Sequence, residues 1–524
     1  MQALGNPLSQ TRLLSLALAA ASGLLLAFSF PKFGLAALAW VALAPLMVAV
    51  QRGTLRDAFL NGLLTGVIYF TGTLYWITNV MATYGDIGTG VAMLINGLLI
   101  AYLALFPALF ALIVRRVAMV IGPRSLILAP FVWVATELGR MHIMTGFPWV
   151  LLGYSQVTFL PIAQFASLLG VFGLSGLVAT VSAALAWAAV RGQLDARAPR
   201  ARQGSPVAAY VPLFVVLAVV VAIGGWGAVR VSRGDLTRQG EPVTVGLIQG
   251  NVDQAEKWDP ARAQSIFREY LDMTRNAIGR GAQMVLWPES STPFFFEEDR
   301  PGAELVRAIA REARVPILLG SDQIDRTSTP AKYYNAAFMV RPDGSTGGVY
   351  RKVHLVPFGE YVPLKNLLFF VDRLVQNVSD FSAGDAAVLL PARGHLLTTA
   401  ICYEIVYPDL VRRGAATSEL ITTITNDAWF GRTSAPYQHF AQASMRAIEN
   451  GRYLVRAANT GISGIVDPYG HVLAETDIFE PAVVVGEARF LRVRTIYARI
   501  GDVFANASAV ITLAALLLLR RRVE

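Results

Sequence analysis

The sequence predicts a two-part protein, in which a polytopic α-helical membrane domain of about eight transmembrane helices is joined to an α/β domain. Of the 524 residues, 54% are hydrophobic and 15% are charged, whereas about a quarter of a soluble domain is charged. Long apolar runs fill residues 1–230 and recur at 503–519. Residues 240–492 instead alternate short β-rich segments with amphipathic ones, which is typical of an α/β domain.

Eight apolar runs are candidate membrane-spanning helices, since about 20 residues cross a bilayer, although the fifth is short and contains Glu137. The first is interpreted as a retained span and not as a signal peptide, because further spans follow at once. The segment 139–161 is rich in aromatic residues and glycine, and we expect it to be interfacial or re-entrant. The candidate spans are 13–29, 34–50, 58–77, 91–114, 125–138, 163–190, 207–228 and 503–519.

The positive charges predict the orientation, because cytoplasmic loops carry an excess of lysine and arginine. With a cytoplasmic N-terminus, the opposite short loops hold only Lys32 and Arg140. Seven spans then place residues 240–492 in the periplasm of a bacterial inner membrane. The net charge of +9 is thereby explained without a nucleic-acid partner. The arginines on the cytoplasmic side are Arg52, Arg56, Arg115, Arg116, Arg124, Arg191, Arg197, Arg200, Arg202, Arg520, Arg521 and Arg522.

Within residues 240–492, helices are expected at 260–280 and 305–313. Most of the predicted strands are apolar on both faces, so we expect helices on both sides of the sheet. Two hairpins are expected, the first around Pro342-Asp343-Gly344 and the second between the last two strands. The predicted strands are 243–248, 284–287, 315–319, 336–340, 347–350, 396–401, 421–425, 453–457 and 464–466.

Three reactive side chains each follow a predicted strand: Glu289, Lys352 and Cys402. Active sites of α/β sheets lie beyond the carboxyl ends of strands. A carboxylate can take the proton of a thiol, and an ammonium favours the anion, so the three form a chemically complete set for nucleophilic catalysis. A lone cysteine is more often an inert core residue, and spacing alone leaves that alternative open. His354 offers a cysteine–histidine pair instead.

The sequence favours neither a metal site nor a cofactor. It has no pair of cysteines, no His-x-x-x-His and no EF-hand loop, and its glycine-rich stretches lack the lysine of a P-loop.

Three motifs resemble the nitrilase, or carbon–nitrogen hydrolase, superfamily, which is defined by a Glu–Lys–Cys triad. They are Trp287-Pro288-Glu289, Lys352 followed by Pro357-Phe358-Gly359-Glu360-Tyr361, and Cys402-Tyr403-Glu404. Membrane spans on both sides of such a domain resemble the apolipoprotein N-acyltransferases. Stretches 146–149, 153–156, 426–430 and 456–461 are also similar to that family.

The resemblance implies an α-β-β-α sandwich and a catalytic triad of Glu289, Lys352 and Cys402, with the lysine preferred to His354. Cys402 would take an acyl chain from a phospholipid as a thioester and pass it to the diacylglyceryl-cysteine amine of a lipoprotein. Glu289 would act as general base and then as general acid. Lys352 and the N–H of Tyr403 would stabilise the oxyanion, and Glu360 and Glu404 would support the triad.

The resemblance also implies that Trp258, Trp429 and Phe430 are loop residues near the lipid entrance. From their apolar character, Phe295-Phe296 and Phe369-Phe370 are expected to dip into lipid. Two alternative functions compete with this interpretation. A membrane-tethered amidase would share the triad and give its acyl group to water. A transporter with a soluble binding domain is disfavoured, because the spans hold almost no ionisable group beyond Glu137.

Overall fold

The computed structural model describes residues 7–85, 88–197, 206–254, 256–257, 259–357, 359–361 and 381–520. The chain divides into two compact units, a helical unit and a sheet-containing unit. The helical unit comprises residues 1–78, 93–232 and 502–524, and the second unit comprises residues 79–92 and 233–501. Trp258 and the pair Phe369-Phe370 lie outside the described residues.

All eight predicted apolar runs fall in helical segments. The helices of this part of the chain are α1 (Pro7–Phe28), α2 (Ala39–Ala42), α3 (Ala44–Ala49), α4 (Leu55–Leu74), α5 (Trp76–Tyr84), α6 (Thr89–Ile121), α7 (Ser125–His142), α8 (Leu160–Ala163), α9 (Ala166–Arg197), α10 (Pro206–Arg233) and α16 (Val503–Arg520).

Not every helical segment is long enough to cross a bilayer. Among the described residues, four helical stretches qualify by length and composition, and a fifth qualifies if α4 and α5, which meet at a 52° bend, form one span. Ala36–Ala49 and Val503–Leu519 are apolar but shorter. The chain is therefore a membrane protein by its helices, while the count of about eight crossings stays a prediction.

The longest apolar stretch, Thr89–Thr145, is a pair of antiparallel helices. The ring of Phe110 in α6 packs edge-on against Trp133 in α7, at 5.2 Å between centroids. Further from the connection, the Tyr102 hydroxyl donates to the Ile143 carbonyl at 3.0 Å. An earlier residue of α6 contacts a later residue of the stretch, so the two helices run antiparallel. Helix α7 extends to His142, four residues beyond the predicted end of its span.

The segment after α7 is irregular, and buried side chains satisfy its backbone. Arg140 donates to the carbonyls of Phe147 and Trp149 at 3.4 and 2.5 Å, and Glu137 accepts from the N–H of Leu152 at 2.7 Å. The prediction that Arg140 is a loop charge was wrong, since only 3% of it is exposed. Its guanidinium compensates carbonyls that no helix pairs, as buried irregular backbone requires.

The second unit contains two six-stranded sheets. The first has the order β12-β1-β2-β3-β4-β5 and the second has the order β11-β10-β9-β8-β7-β6. Its strands are β1 (Glu241–Gln249), β2 (Met284–Leu286), β3 (Ile317–Asp325), β4 (Lys332–Val340), β5 (Thr346–Arg351), β6 (Leu390–Ala392), β7 (His395–Ile401), β8 (Leu420–Thr425), β9 (Leu454–Ala458), β10 (Gly464–Val466), β11 (Val472–Glu475) and β12 (Ala482–Phe490).

Each sheet has a parallel centre and antiparallel edges. In the first sheet β1, β2 and β3 run parallel, and in the second β7, β8 and β9 do. Both predicted hairpins are confirmed, because β4 pairs antiparallel with β5 and β9 pairs antiparallel with β10. The parallel strands deliver their carboxyl ends to one edge of each sheet, where the candidate site lies.

The expectation of one sheet between two helix layers was wrong in its count of sheets. Helices α11 (Pro260–Gly279) and α12 (Arg300–Ala313) pack on the first sheet, while α13 (Pro408–Ala415) and α14 (Ala435–Asn450) pack on the second. The inner faces of the sheets meet, as where the Ser463 hydroxyl donates to Gln249 across them at 2.7 Å. The strands are apolar on both faces because one face meets helices and the other meets a sheet. This layering is the α-β-β-α sandwich that the resemblance implies. The unit ends with α15 (Ile496–Ile500).

The prediction that Phe295-Phe296 dips into lipid was wrong for Phe296. That ring is fully buried and packs on Phe338 of β4, with 5.4 Å between centroids. Nothing in the sequence indicates that one member of this apolar pair faces the core, because the pair lies in a turn without periodicity.

Candidate active site

Glu289, Lys352 and Cys402 each follow the end of a strand, as the sequence predicts, and all three are buried. Glu289 comes three residues after β2, Lys352 directly after β5 and Cys402 directly after β7. Cys402 has a φ of +52°, a left-handed conformation that costs a non-glycine residue about 1–2 kcal/mol. Strain of this kind clusters at functional sites, because the surrounding structure must hold it in place.

The ammonium of Lys352 lies between two carboxylates. Its Nζ is 3.3 Å from Glu289 Oε1 and 2.8 Å from Glu360 Oε1, and 1% of the lysine side chain is exposed. Burial alone would lower the pKa of Lys352, but the negative charges of Glu360 and Glu289 raise it well above its ordinary value. The lysine therefore stays positively charged at neutral pH.

Two asparagines that the sequence analysis did not assign to the site fix the Glu289 carboxylate. Asn335 in β4 donates from Nδ2 to Glu289 Oε1 at 2.7 Å and to Glu360 Oε1 at 2.9 Å. The backbone N–H of Asn426, directly after β8, donates to Glu289 Oε2 at 2.8 Å. Glu289 is thereby held by both sheets. Asn426 directly follows a strand, so the rule that active sites lie beyond strand ends could have identified it. Nothing in the sequence distinguishes Asn335 within its strand.

The thiol of Cys402 is protonated in this environment. Burial raises its pKa well above its ordinary value, and the negative charge of Glu289 raises it further, while Lys352 acts in the opposite direction. The Lys352 ammonium favours the thiolate, as the sequence predicts, but burial and the charge of Glu289 outweigh it. A base must therefore remove the proton when the thiol attacks, and Glu289 is the carboxylate whose charge acts most strongly on it, ahead of Asp427.

Glu404 connects the turn that carries Cys402 to the segment that carries Lys352. Its Oε2 accepts from the Ile401 N–H at 2.7 Å, and its Oε1 accepts from the N–H groups of Val353 and His354 at 2.6 and 3.0 Å. The Tyr350 hydroxyl donates to the same carboxylate at 2.9 Å. Burial raises the pKa of Glu404 to about 7, although these N–H groups oppose the shift.

A buried cluster lies on the other side of Cys402. His439 in α14 places Nε2 3.2 Å from the Cys402 carbonyl oxygen, and its Nδ1 is 3.0 Å from Asp427 Oδ1. Arg456 in β9 approaches the same Nδ1 at 3.0 Å and donates to Asp427 Oδ2 at 2.8 Å. Burial and the Arg456 charge lower the pKa of His439, so its ring is neutral at pH 7.

Lys257 is a second buried lysine near the site. Its Nζ donates to the backbone carbonyl of Glu289 at 3.4 Å. Burial lowers its pKa to about 8, against the pull of Asp322 and Glu289. The pKa of Asp322 is raised by burial to about 6. Nothing in the sequence indicates that Lys257 and Asp322 are buried near the site; Lys257 stands beside Trp258, which is the residue that the motif makes conspicuous.

The remaining predicted residues occupy the surrounding loops. Tyr403 is buried, and its ring packs edge-on against Tyr407 at 5.3 Å. Trp429 is 38% exposed and packs edge-on against Tyr84 at 5.1 Å, and the ring of Phe430 packs edge-on against His439 at 5.9 Å. Trp258 lies outside the described residues.

His354 does not act as a partner of the thiol in this geometry. Its ring lies tilted against that of Tyr407, with 3.9 Å between the centroids, and burial with the nearby Lys352 charge lowers its pKa to about 4. In the described part of the chain, no group of three His, Cys, Asp or Glu side chains is arranged to hold a metal ion.

Comparison with known proteins assigns the family. Residues 22–184 match the model of the apolipoprotein N-acyltransferase N-terminal domain, and residues 244–497 match that of carbon-nitrogen hydrolase. A Geobacter metallireducens protein named apolipoprotein N-acyltransferase is 42% identical over 94% of this chain and 92% of its own length. The chain belongs to the apolipoprotein N-acyltransferase family.

Other members of the family are similarly close. The apolipoprotein N-acyltransferase of Methylococcus capsulatus is 35% identical over 93% of this chain and 92% of its own length. Among solved structures, an amidase from Nesterenkonia sp. covers 50% of this chain and 94% of its own, with a TM-score of 0.38 and 23% identity. Membership makes the chain an acyltransferase with a nitrilase-like domain, and the resemblance stated from the motifs is confirmed.

Proposed function

We propose that this enzyme moves a fatty acyl chain from the sn-1 position of a phospholipid, through a thioester on Cys402, to the N-terminal diacylglyceryl-cysteine amine of apolipoproteins. The buried ammonium of Lys352, fixed by Glu289 and Glu360 at 3.3 and 2.8 Å, carries the proposal. A charge fixed before the substrate arrives stabilises an oxyanion without reorganising. The name of the relatives supports the acceptor class.

In the first half-reaction Glu289 takes the Cys402 proton, and the sulfur attacks the ester carbonyl carbon. Lys352 and the N–H of Tyr403 stabilise the resulting oxyanion. The tetrahedral intermediate collapses as the carbon–oxygen ester bond breaks. Protonated Glu289 gives its proton to the leaving alkoxide, which departs as a lysophospholipid and leaves the acyl group on sulfur.

In the second half-reaction the neutral amine of the lipoprotein attacks the thioester carbonyl. Glu289 takes a proton from the amine, the carbon–sulfur bond breaks, and the Cys402 thiolate takes that proton back from Glu289. The products are an amide and the free enzyme. Glu360 holds Lys352 and Glu404 holds the turn of Cys402, so neither has to meet the substrate.

We further propose that residues 1–230 and 503–519 are membrane domains of the bacterial inner membrane, and that residues 240–492 lie in the periplasm. Both substrates are lipid-anchored, which requires the thiol to work near the bilayer surface. The exposure of Trp429 supports a role for it, with Phe430, in contacting lipid. For Trp258 the motif alone supports that role.

The thioester is tested by intact mass spectrometry of the purified protein after incubation with vesicles of phosphatidylethanolamine and phosphatidylglycerol. We expect a mass gain of one acyl chain that hydroxylamine removes and that Cys402→Ala lacks. A Cys402→Ala variant that still acylates a lipoprotein would overturn the proposal.

The acceptor is tested by adding a diacylated lipopeptide to the acyl-enzyme. We expect the acyl chain to appear as an amide on the peptide. Release of free fatty acid at an equal rate with and without the lipopeptide would identify a hydrolase instead, which is the outcome expected of an amidase.

A further inference from the structure

We propose that His439 is a positioning residue for the oxyanion-binding N–H of Tyr403, and that it acts through the carbonyl oxygen of Cys402. The inference rests on the proposed function, because it concerns the oxyanion of thioester formation. His439 is fully buried on α14, and its Nε2 is 3.2 Å from the Cys402 oxygen. A carbonyl oxygen carries no hydrogen, so Nε2 must supply it.

His439 can fix the direction of the Tyr403 N–H because that N–H and the Cys402 carbonyl belong to one peptide group. The C=O of Cys402 and the N–H of Tyr403 belong to the same planar unit, and in a trans peptide they point in opposite directions. A donor that fixes the carbonyl therefore fixes the direction of the amide hydrogen. The fixation matters here, because Cys402 has a φ of +52°, and a residue in that region relaxes unless it is held.

The surroundings of His439 determine how its ring is oriented. Arg456 Nη2 lies 3.0 Å from Nδ1 and also donates to Asp427 Oδ2 at 2.8 Å. Asp427 is itself fixed by the Thr425 hydroxyl, which donates to Oδ1 at 2.8 Å. The Cys402 carbonyl can only accept, so Nε2 carries a hydrogen, while Nδ1 lies 3.0 Å from both Arg456 Nη2 and Asp427 Oδ1, which hold that edge of the ring in place. The cluster thus orients the donor that the Cys402 carbonyl requires.

Two reactions of the same thiol distinguish this positioning role from a general loss of structure at the site. Acylation by phospholipid passes through an oxyanion, whereas alkylation by iodoacetamide displaces iodide at a saturated carbon and forms none. The variants are His439→Leu, which has no donor, and His439→Gln, whose Nε2 lies near the position of the histidine Nε2. The half-exposed His471, paired with Asp467, supplies the control His471→Leu.

We expect His439→Leu to slow thioester formation on the phospholipid vesicles by about 10–100-fold, less than the 10²–10³-fold effect of deleting an oxyanion donor outright. His439→Gln should recover much of the rate. Alkylation should change by less than about threefold in every variant, because no oxyanion donor takes part in it, and His471→Leu should resemble the wild type in both reactions.

Equal losses of acylation and alkylation in His439→Leu would overturn the inference and show that the histidine supports only the fold. An unchanged acylation rate would overturn it as well. A wild-type protein that forms no thioester while iodoacetamide still modifies Cys402 would instead refute the proposed function, so the two failures are distinguishable.

Discussion

At the scale of single residues, Glu289 has two opposite effects on Cys402. Its charge raises the pKa of the thiol, which disfavours the thiolate at rest. Its carboxylate is also the base that we propose removes the proton during attack. Because the effects differ in sign, one substitution separates them.

Glu289→Gln removes the charge and keeps the shape. We expect the pKa of Cys402 to fall, so iodoacetamide should modify the thiol at pH 8–9 at least as fast as in the wild type. Thioester formation should drop by about 10²–10⁴-fold, the usual contribution of a general base. Both rates are measured by intact mass against time.

The contrary result would be a parallel loss in both reactions. It would mean that Glu289 serves mainly to keep Lys352 and Asn335 in place, since both contact its Oε1. Asn335→Ala is the matched control, because it removes one of those contacts and leaves the carboxylate.

At the scale of elements, Glu404 joins the end of β7 to the chain after β5. Glu404→Gln turns an acceptor oxygen into a donor that faces either the Ile401 N–H or those of Val353 and His354. Each buried donor left without an acceptor costs about 1–3 kcal/mol. We expect a lower unfolding temperature in detergent and a slower thioester rate.

Tyr350→Phe is the comparison for that variant, because it removes a single hydroxyl and leaves the acceptors of all three N–H groups. It should be the milder change in both measurements. If Tyr350→Phe were as damaging as Glu404→Gln, the carboxylate would not be the feature that joins the two segments.

The shifted pKa of Glu404 adds a dependence on pH. Its folded value of about 7 lies above the value of about 4.3 in an unfolded chain, so the folded state takes up the proton more readily between these pH values. This contribution to the unfolding free energy is complete below pH 4 and is lost as pH rises through 7, by about 4 kcal/mol in all. Glu404→Gln should flatten that part of the stability curve.

The sequence predicted the elements that carry the triad because the strands that precede Glu289, Lys352 and Cys402 combine strong β patterns with distinctive motifs. It did not predict Asn335 or His439. Both lie inside regular elements, where a polar residue has the same appearance whether it faces solvent or a carboxylate. The strand patterns alone did not indicate the second sheet, which only the resemblance implied, since an apolar strand face does not reveal whether a helix or another strand covers it.

At the scale of the whole molecule, the orientation in the membrane can be tested because the chain has one cysteine. In a Cys402→Ala background, any introduced cysteine is unique. Four exposed positions suffice: Arg52 and Arg124 on the side predicted to be cytoplasmic, and Lys32 and Asp343 on the side predicted to be periplasmic.

We expect a membrane-impermeant maleimide to label the cysteines at 32 and 343 in intact spheroplasts. Those at 52 and 124 should react only after the membrane is opened. The reversed pattern would show that the whole topology is inverted, with the catalytic domain facing the cytoplasm. Labelling at 343 but not at 32 would place the error among the first spans.

The burial of the Cys402 thiol has a consequence for the lifetime of the acyl-enzyme. A thiolate of high pKa is a slow leaving group, because the charge it must accept is poorly stabilised. The thioester would therefore persist while the lysophospholipid diffuses away and the next partner arrives by two-dimensional search. The environment that lowers the reactivity of the resting thiol would thus also slow the release of the acyl chain, so that the thioester holds the chain until the acceptor binds.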